Sequence, residues 1–253
     1  MNPRTLVFPF IFCFLTLWTL FPGSARGDDV LSQIALANGY YAKSQYQEAA
    51  NIYQGLIDRG KKNGYLFYNL GNTYLRLGKT GPSILNYIRA KRFLPRDESL
   101  DTNLSYAILK TQDQLEPPST SGLSSLFFWV NNFTKTEQLV FFEIINLFFW
   151  VVLGIWIVRR TGFWNLTRKT MMAFLFISVL SVGVKIVLES ESTTGVILAK
   201  TIEVKSASGA ENVTLFELHE GSVVSIIDHK NDWYQIELND GKRGWAQKEF
   251  IGI

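Results

Sequence analysis

The sequence predicts a multidomain membrane protein with three parts in order: an all-α helical repeat, a two-helix transmembrane hairpin and an all-β small barrel. Three observations predict this fold class. A 34-residue self-similarity runs through the first half, two apolar runs long enough to span a bilayer follow, and short β-type runs fill residues 194–253. The chain is 47% hydrophobic and 14% aromatic, with the apolar residues concentrated in a few segments.

The N-terminus has the order of a secretory signal peptide, predicted over residues 1–27. Arg4 precedes an apolar run from Leu6 to Phe21, and small residues then allow cleavage after Ala25 or Gly27. An uncleaved anchor is the alternative, and either form delivers the following residues across the membrane. The only cysteine, Cys13, lies in this segment. A processed chain therefore has no disulfide, no thiol nucleophile and no cysteine-ligated zinc.

Two apolar runs are predicted to cross the membrane, Leu139–Val158 and Thr170–Leu188. The loop between them, residues 159–169, carries four cations and no acid. Cytoplasmic loops are enriched in Lys and Arg, so this loop is expected in the cytoplasm and both flanks outside it. A buried soluble hairpin is disfavoured, because helices this apolar need a large protein around them.

Two ionisable residues lie inside the predicted spans. Glu143 is near the start of the first and Lys185 near the end of the second, so an antiparallel hairpin places them at similar depth. We expect them to pair, since a lone charge in the bilayer is costly. The alternative is that each side chain extends separately to the headgroups.

The helical domain is predicted over residues 28–115, as units at about 30–63 and 64–97 followed by a capping helix at 98–115. Ala37 corresponds to Gly71 and Tyr53 to Tyr87, each pair 34 residues apart. This period is that of a helix–turn–helix repeat in which small residues allow close helix crossing. Together with Tyr68–Gly78, it resembles the tetratricopeptide repeat family.

That resemblance implies a concave groove that holds extended peptides. The register places these residues on it: Leu31, Ile34, Asn38, Tyr41, Tyr65, Tyr68, Asn72, Arg76, Tyr106 and Lys110. Some relatives clamp a C-terminal carboxylate with two Asn and several cations. Asn38 and Asn69 fit that pattern, but Ile34, Ser99 and Asn103 stand where cations belong, so this specificity is not predicted.

A linker and interfacial segment is predicted at residues 116–138. Glu116–Gly122 is rich in Pro, Ser and Gly, which ends the helical domain. Leu123–Phe133 is aromatic and is expected along the outer membrane boundary, where aromatic side chains are favoured. A loop packed under the repeat domain is the alternative.

The C-terminal part, residues 194–253, is predicted to be a small barrel. The sequence Asn239-Asp240-Gly241 indicates a tight turn between two strands. The predicted strands are Gly195–Lys200, Ile202–Lys205, Val213–Phe216, Ser222–Asp228, Trp233–Leu238 and Gly244–Gln247. The order Leu218–Gly221, Asp232–Gly241 and Gly244-Trp245 resembles bacterial SH3-like barrels.

Trp233 and Trp245 are the candidate binding residues of this barrel. Trp233 alternates with polar residues, so it is expected on the polar face of its strand, which suggests a shallow groove near Trp245. The alternative is that both rings only cover an open end of the barrel. Family resemblance implies cell-wall peptides or proline-rich strands as ligands. His219 and His229 are expected to be exposed turn residues.

No catalytic motif is present, so the sequence predicts no enzyme, no cofactor and no metal site. A net charge of +3 without a basic helical stripe disfavours nucleic acid. The full architecture resembles BatE-type proteins of the Bacteroides aerotolerance operon family. That resemblance implies a bacterial inner-membrane protein with both soluble domains in the periplasm. Its implied partners are von Willebrand factor A proteins and a MoxR-type ATPase, in stress tolerance. The alternative is a sensor that binds peptidoglycan through the barrel.

Overall fold

A computed structural model describes residues 27–115, 128–191 and 193–253. Residues 1–26 and 116–127 lie outside the described residues, and with them almost all of the predicted signal peptide and the first half of the predicted linker. The chain divides into two compact units. Of the described residues, the first contains 128–187, and the second combines 27–115 with 188–191 and 193–253.

Five helices form in residues 27–115: α1 (Gly27–Ala42), α2 (Tyr46–Asp58), α3 (Gly64–Arg76), α4 (Thr80–Lys91) and α5 (Glu98–Leu109). Side chains define two of the starts. Asn63 accepts a hydrogen bond from the Tyr65 amide, and Asp97 accepts one from the Leu100 amide. Both are residue types that cap helix N-termini. The N-terminal region is therefore helical, as predicted.

The 34-residue period is visible in the helix packing. Tyr53 in α2 and Tyr87 in α4 are 1% and 0% exposed. The Tyr53 hydroxyl donates to Oδ1 of Asn38, and the Tyr87 hydroxyl donates to Oδ1 of Asn72 at 2.7 Å. The same tyrosine–asparagine bond thus recurs in both helix pairs. Burial is the main reason why the pKa of Tyr53 is raised to about 12.

Residues 193–253 form an antiparallel sheet of seven strands: β1 (Thr193–Ile197), β2 (Thr201–Lys205), β3 (Thr214–His219), β4 (Val223–Lys230), β5 (Trp233–Glu237), β6 (Arg243–Gln247) and β7 (Ile251–Gly252). Their order is β3-β2-β6-β5-β4-β1-β7. Alternate residues point inward, so Val204, Ile236 and Ala246 are fully buried. Gly241, at φ 82°, occupies the predicted turn. The last strand and the extensions of β3 and β4 are absent from the sequence prediction.

The sheet and the helices share a core within their unit. Ile84 and Leu85 of α4 belong to the same buried cluster as Val196 of β1 and Val223 of β4. The sequence predicts the repeat domain and the barrel as separate modules, whereas the structure packs them together. Fully burying one large apolar side chain stabilises a fold by about 1.5–3 kcal/mol. The shared core is therefore a substantial source of stability for this unit.

The other unit contains α6 (Phe128–Asn132), α7 (Lys135–Val158) and most of α8 (Gly162–Glu191). α7 and α8 are long and apolar enough to cross a membrane. α7 begins with a capping box between Thr134 and Glu137. Only residues 159–161 separate the two long helices, so Arg168 and Lys169 of the predicted 159–169 loop are helical instead. Arg168 stacks over Trp156, with its guanidinium carbon 4.0 Å from the ring centroid.

Candidate functional site

The helical region presents a surface of exposed aromatic and basic side chains. Tyr65 is 59% exposed and Tyr106 52%. The Lys110 ammonium lies 4.8 Å from the Tyr106 ring centroid, within cation–π range. Hydrogen bonding to Tyr41, with smaller effects from Tyr46 and Tyr106, raises the pKa of the exposed Arg76 guanidinium. The predicted groove residues Tyr41, Arg76 and Tyr106 are therefore neighbours.

Other predicted groove residues hold the helices together. Asn103 of α5 donates to the Tyr68 hydroxyl and to Oδ1 of Asn72, both at 2.9 Å. Asn69 donates to Oδ1 of Asn38 at 3.3 Å. Asn38, Tyr68 and Asn72 thus have structural partners. Tyr65, Arg76, Tyr106 and Lys110 are exposed, and we call these four residues the helical binding surface.

The barrel has a cavity of about 300 Å³. It is lined by Thr201, Ile202, Glu203, Lys205, Ala210, Trp233, Gln247 and Phe250. Trp233 of β5 pairs with Gln247 of β6, while Trp245 pairs with Gln235. Trp233 and Trp245 therefore lie on the same face of the sheet, on neighbouring strands and diagonally across from each other. Trp233 lines the cavity, whereas Trp245 is outside its lining.

Charges of both signs lie at this cavity. The Lys205 ammonium pairs with the Glu203 carboxylate and also donates to Oγ1 of Thr214 at 2.9 Å. Hydrogen bonding to Lys205 is the largest reason why the pKa of Glu203 is lowered, with Thr214 next. An indole beside a carboxylate and an ammonium can hold a small polar group that carries both charges, such as an amino acid.

A polar cluster fastens the barrel to the helical region. Oδ2 of Asp113 accepts from the His219 amide at 2.8 Å and also from the Ser222 hydroxyl, while Oδ1 lies 2.9 Å from Nδ1 of His219. Nearby, Oε1 of Glu220 accepts from the Gly81 amide at the start of α4, at 2.9 Å. A carboxylate at a helix N-terminus is favoured by the helix dipole.

The position of His219 differs from the sequence expectation. It ends strand β3, and its side chain is 21% exposed against Asp113, so it is not a solvent-exposed turn residue. His229 is exposed but lies within β4. Asp113 and His219 are 106 residues apart in the chain, and no spacing or motif links them. Sequence reasoning therefore missed this cluster.

The two ionisable residues of the apolar helices lie in the other unit. The Lys185 ammonium donates to the backbone carbonyl of Val130 at 3.1 Å. The Gln138 amide donates to the same carbonyl at 3.1 Å, and its Oε1 accepts from the Ser181 hydroxyl. Lys185 thus supports the short helix α6. No ion pair between Lys185 and Glu143 is present within residues 128–191, so their pairing stays a prediction.

The C-terminal part is all-β, an antiparallel sheet of seven short strands with a cavity beside it. Residues 202–252 match the family model of the bacterial SH3 domain. Strand β1 precedes the matched range but pairs with β4 and β7, so the sheet extends beyond it. No curated protein matches the chain in sequence.

Proposed function

We propose that the protein is a non-enzymatic adaptor anchored in the bacterial inner membrane. Its helical binding surface and its SH3 barrel both face the periplasm. In this proposal residues 28–115 are a tetratricopeptide domain that binds an extended segment of another envelope protein. α7 and α8 cross the membrane as a hairpin, with the basic residues around 159–169 in the cytoplasm.

One observation carries this proposal. The helical segment before the two apolar helices and the barrel after them pack into one compact unit. Two segments that share a core must lie on the same side of a membrane. An even number of spans between them satisfies that requirement, and the hairpin supplies two. The basic turn and an export signal favour the outer side for the shared unit.

The partners in this proposal are von Willebrand factor A-domain membrane proteins, acting with a MoxR-type ATPase in stress tolerance. The resemblance of the whole architecture to BatE-type proteins suggests them. Tyr65 and Tyr106 offer rings for apolar contacts, and Arg76 and Lys110 offer cations. Exposed Tyr and Arg side chains are the types most often found at the centre of protein interfaces.

Photo-cross-linking in cells tests the adaptor role. A photoreactive residue at Arg76 is expected to capture a von Willebrand factor A-domain protein, because Arg76 lies on the helical binding surface. The same probe at Lys61, exposed in the turn between α2 and α3, is the matched control. Arg76→Glu is expected to weaken the interaction about tenfold, the range of one interface residue. Equal capture from both positions, or none from Arg76, would contradict the proposal.

Cell-wall binding is the second candidate function. The bacterial SH3 match and the cavity beside Trp233, Glu203 and Lys205 favour it. Stem peptides of peptidoglycan carry both amines and carboxylates, and such a pair of charges can recognise them. In this role the protein is a sensor whose barrel binds the cell wall.

Co-sedimentation with isolated peptidoglycan tests the sensor role. Trp233→Ala is expected to reduce binding at least tenfold, because the indole forms one wall of the cavity and buried Trp side chains carry much of an interface's energy. Trp245→Ala is the control on the same face of the sheet and is expected to change binding less than about threefold. If the wild-type protein stays in the supernatant, cell-wall binding is contradicted. Equal losses of peptidoglycan binding from both substitutions would indicate that the ligand binds outside the cavity.

A further inference from the structure

Glu143 has an unusual position in α7. It lies in the apolar part of a helix long enough to span a membrane, five residues after Gln138. Within residues 128–191, the Glu143 carboxyl group has no hydrogen-bond or ion-pair partner. The cation expected to neutralise it, Lys185, donates instead to the Val130 carbonyl. An ionisable group in a span normally faces a partner or a functional site.

The surroundings of Glu143 on α7 have a regular pattern. Val140, Ile144, Leu147 and Val151 are 40%, 46%, 41% and 51% exposed. Their spacing of four, three and four residues places them in one stripe along the helix. At about 100° per residue, Glu143 lies about 40° around the helix from Leu147, at the edge of this stripe.

The opposite side of α7 is already occupied. Gln138 and Asn146 are 5% and 7% exposed, and Gln138 contacts Ser181 of α8. Both project away from the stripe, at about 160° and 240° from Val140. The stripe with Glu143 is therefore a second face of α7, separate from the face turned toward α8.

We propose that Glu143 and this stripe form a docking face for a transmembrane helix of another membrane protein, one that carries a Lys or Arg at the depth of Glu143. Charge complementarity decides the occupant. A second copy docked symmetrically on the same stripe brings Glu143 against Glu143, and its own Lys185 is engaged at Val130. A cationic helix supplies the missing partner, and the apolar stripe supplies the packing surface.

The inference rests on the membrane placement of the proposed function, and the test separates the two. The full chain is reconstituted in phosphatidylcholine vesicles with a donor dye at Thr161→Cys in a Cys13→Ser background. The probes are acceptor-labelled 24-residue Leu/Ala helices with Lys, Leu or Glu at the depth of Glu143. Energy transfer between donor and acceptor reports association. If the chain leaves the vesicles in an alkaline wash, the membrane placement fails and this inference fails with it, whereas a chain that stays in the vesicles tests the inference alone.

The expected result is tighter binding of the Lys helix than of the Leu helix by about three- to thirtyfold, the range of polar contacts between membrane helices. Glu143→Gln should reduce this preference below about threefold. Leu147→Ala should weaken both helices, whereas Leu180→Ala, the same change at an equally exposed residue of α8, should weaken neither. Equal binding of the Lys and Leu helices, or an unchanged preference in Glu143→Gln, overturns the proposal. Self-association of the chain that the Lys helix does not displace also overturns it, by assigning the stripe to a second copy.

Discussion

Gly221→Ala is expected to destabilise the unit that combines the helices and the barrel by about 2–4 kcal/mol. Gly221 has φ 89°, where an L-residue costs about 1–2 kcal/mol. A β-carbon there would lie 2.5 Å from Cγ2 of Thr111 and 3.1 Å from Cδ1 of Ile84. Such overpacking costs a further 1–3 kcal/mol or so. Urea unfolding of the detergent-solubilised chain, followed by circular dichroism, measures the loss.

Gly241→Ala is the matched control for this prediction. Gly241 has φ 82°, but a β-carbon there meets no atom within 4 Å. Its loss should be only the backbone cost, about 1–2 kcal/mol. Thr111→Ser removes the Cγ2 methyl and keeps the hydroxyl that accepts from the Gln114 amide. Adding it to Gly221→Ala should therefore recover part of the loss. Equal losses at both glycines, without recovery, would contradict the close docking of barrel and helices.

Asp113→Asn is expected to lower the free energy of unfolding by about 2–4 kcal/mol at neutral pH. The substitution removes the negative charge that accepts from the His219 amide, the Ser222 hydroxyl and the His219 ring. Hydrogen bonds to a charged group stabilise by about 1.5–3 kcal/mol each, against about 0.5–1.5 kcal/mol for neutral ones. Asp228→Asn is the control, since Asp228 is exposed and likewise accepts from a histidine backbone amide, that of His229. It is expected to change stability by less than about 0.5 kcal/mol.

The effect of Asp113→Asn should depend on pH. Burial acts to raise the pKa of Asp113, but hydrogen bonds from Ser222 and His219 outweigh it, so the pKa is lowered. A carboxyl group with a lowered pKa in the folded state stabilises the protein above its unfolded pKa, near 4. That stabilisation is lost as the pH falls through the folded pKa. Wild type and Asp113→Asn should therefore converge in acid, and a constant difference from pH 7 to pH 2 would contradict this account.

Periodic features of the chain could be predicted from its sequence. Tyr53 and Tyr87 mark the 34-residue repeat because packing imposes the same residue types at equivalent positions. Gly241 marks the hairpin between β5 and β6 because a positive φ excludes most other residues. The predicted helical region, the two apolar helices and the bacterial SH3 sheet are confirmed. Each depends on neighbours within a few tens of residues.

The docking of the barrel on the helices could not be predicted, because it depends on contacts between distant residues. Asp113, His219 and Ser222 are ordinary polar residues in sequence, and each becomes informative only once the others are adjacent. Strand β7 has two residues, too few for an alternating pattern. The same holds for Lys185 in the other unit, which donates to the backbone carbonyl of Val130. Every residue has such a carbonyl, so the sequence does not single out Val130 as the partner.

The discontinuity of the unit that joins α1–α5 to the seven strands has a consequence for biosynthesis. Ile84 and Leu85 of α4 complete their core only with Val196 and Val223. Those two residues leave the ribosome after both apolar helices. In an exported chain, the newly delivered helices must therefore wait with an uncovered apolar face until translocation is complete. Chaperones and proteases of the receiving compartment have access to the nascent chain during that interval.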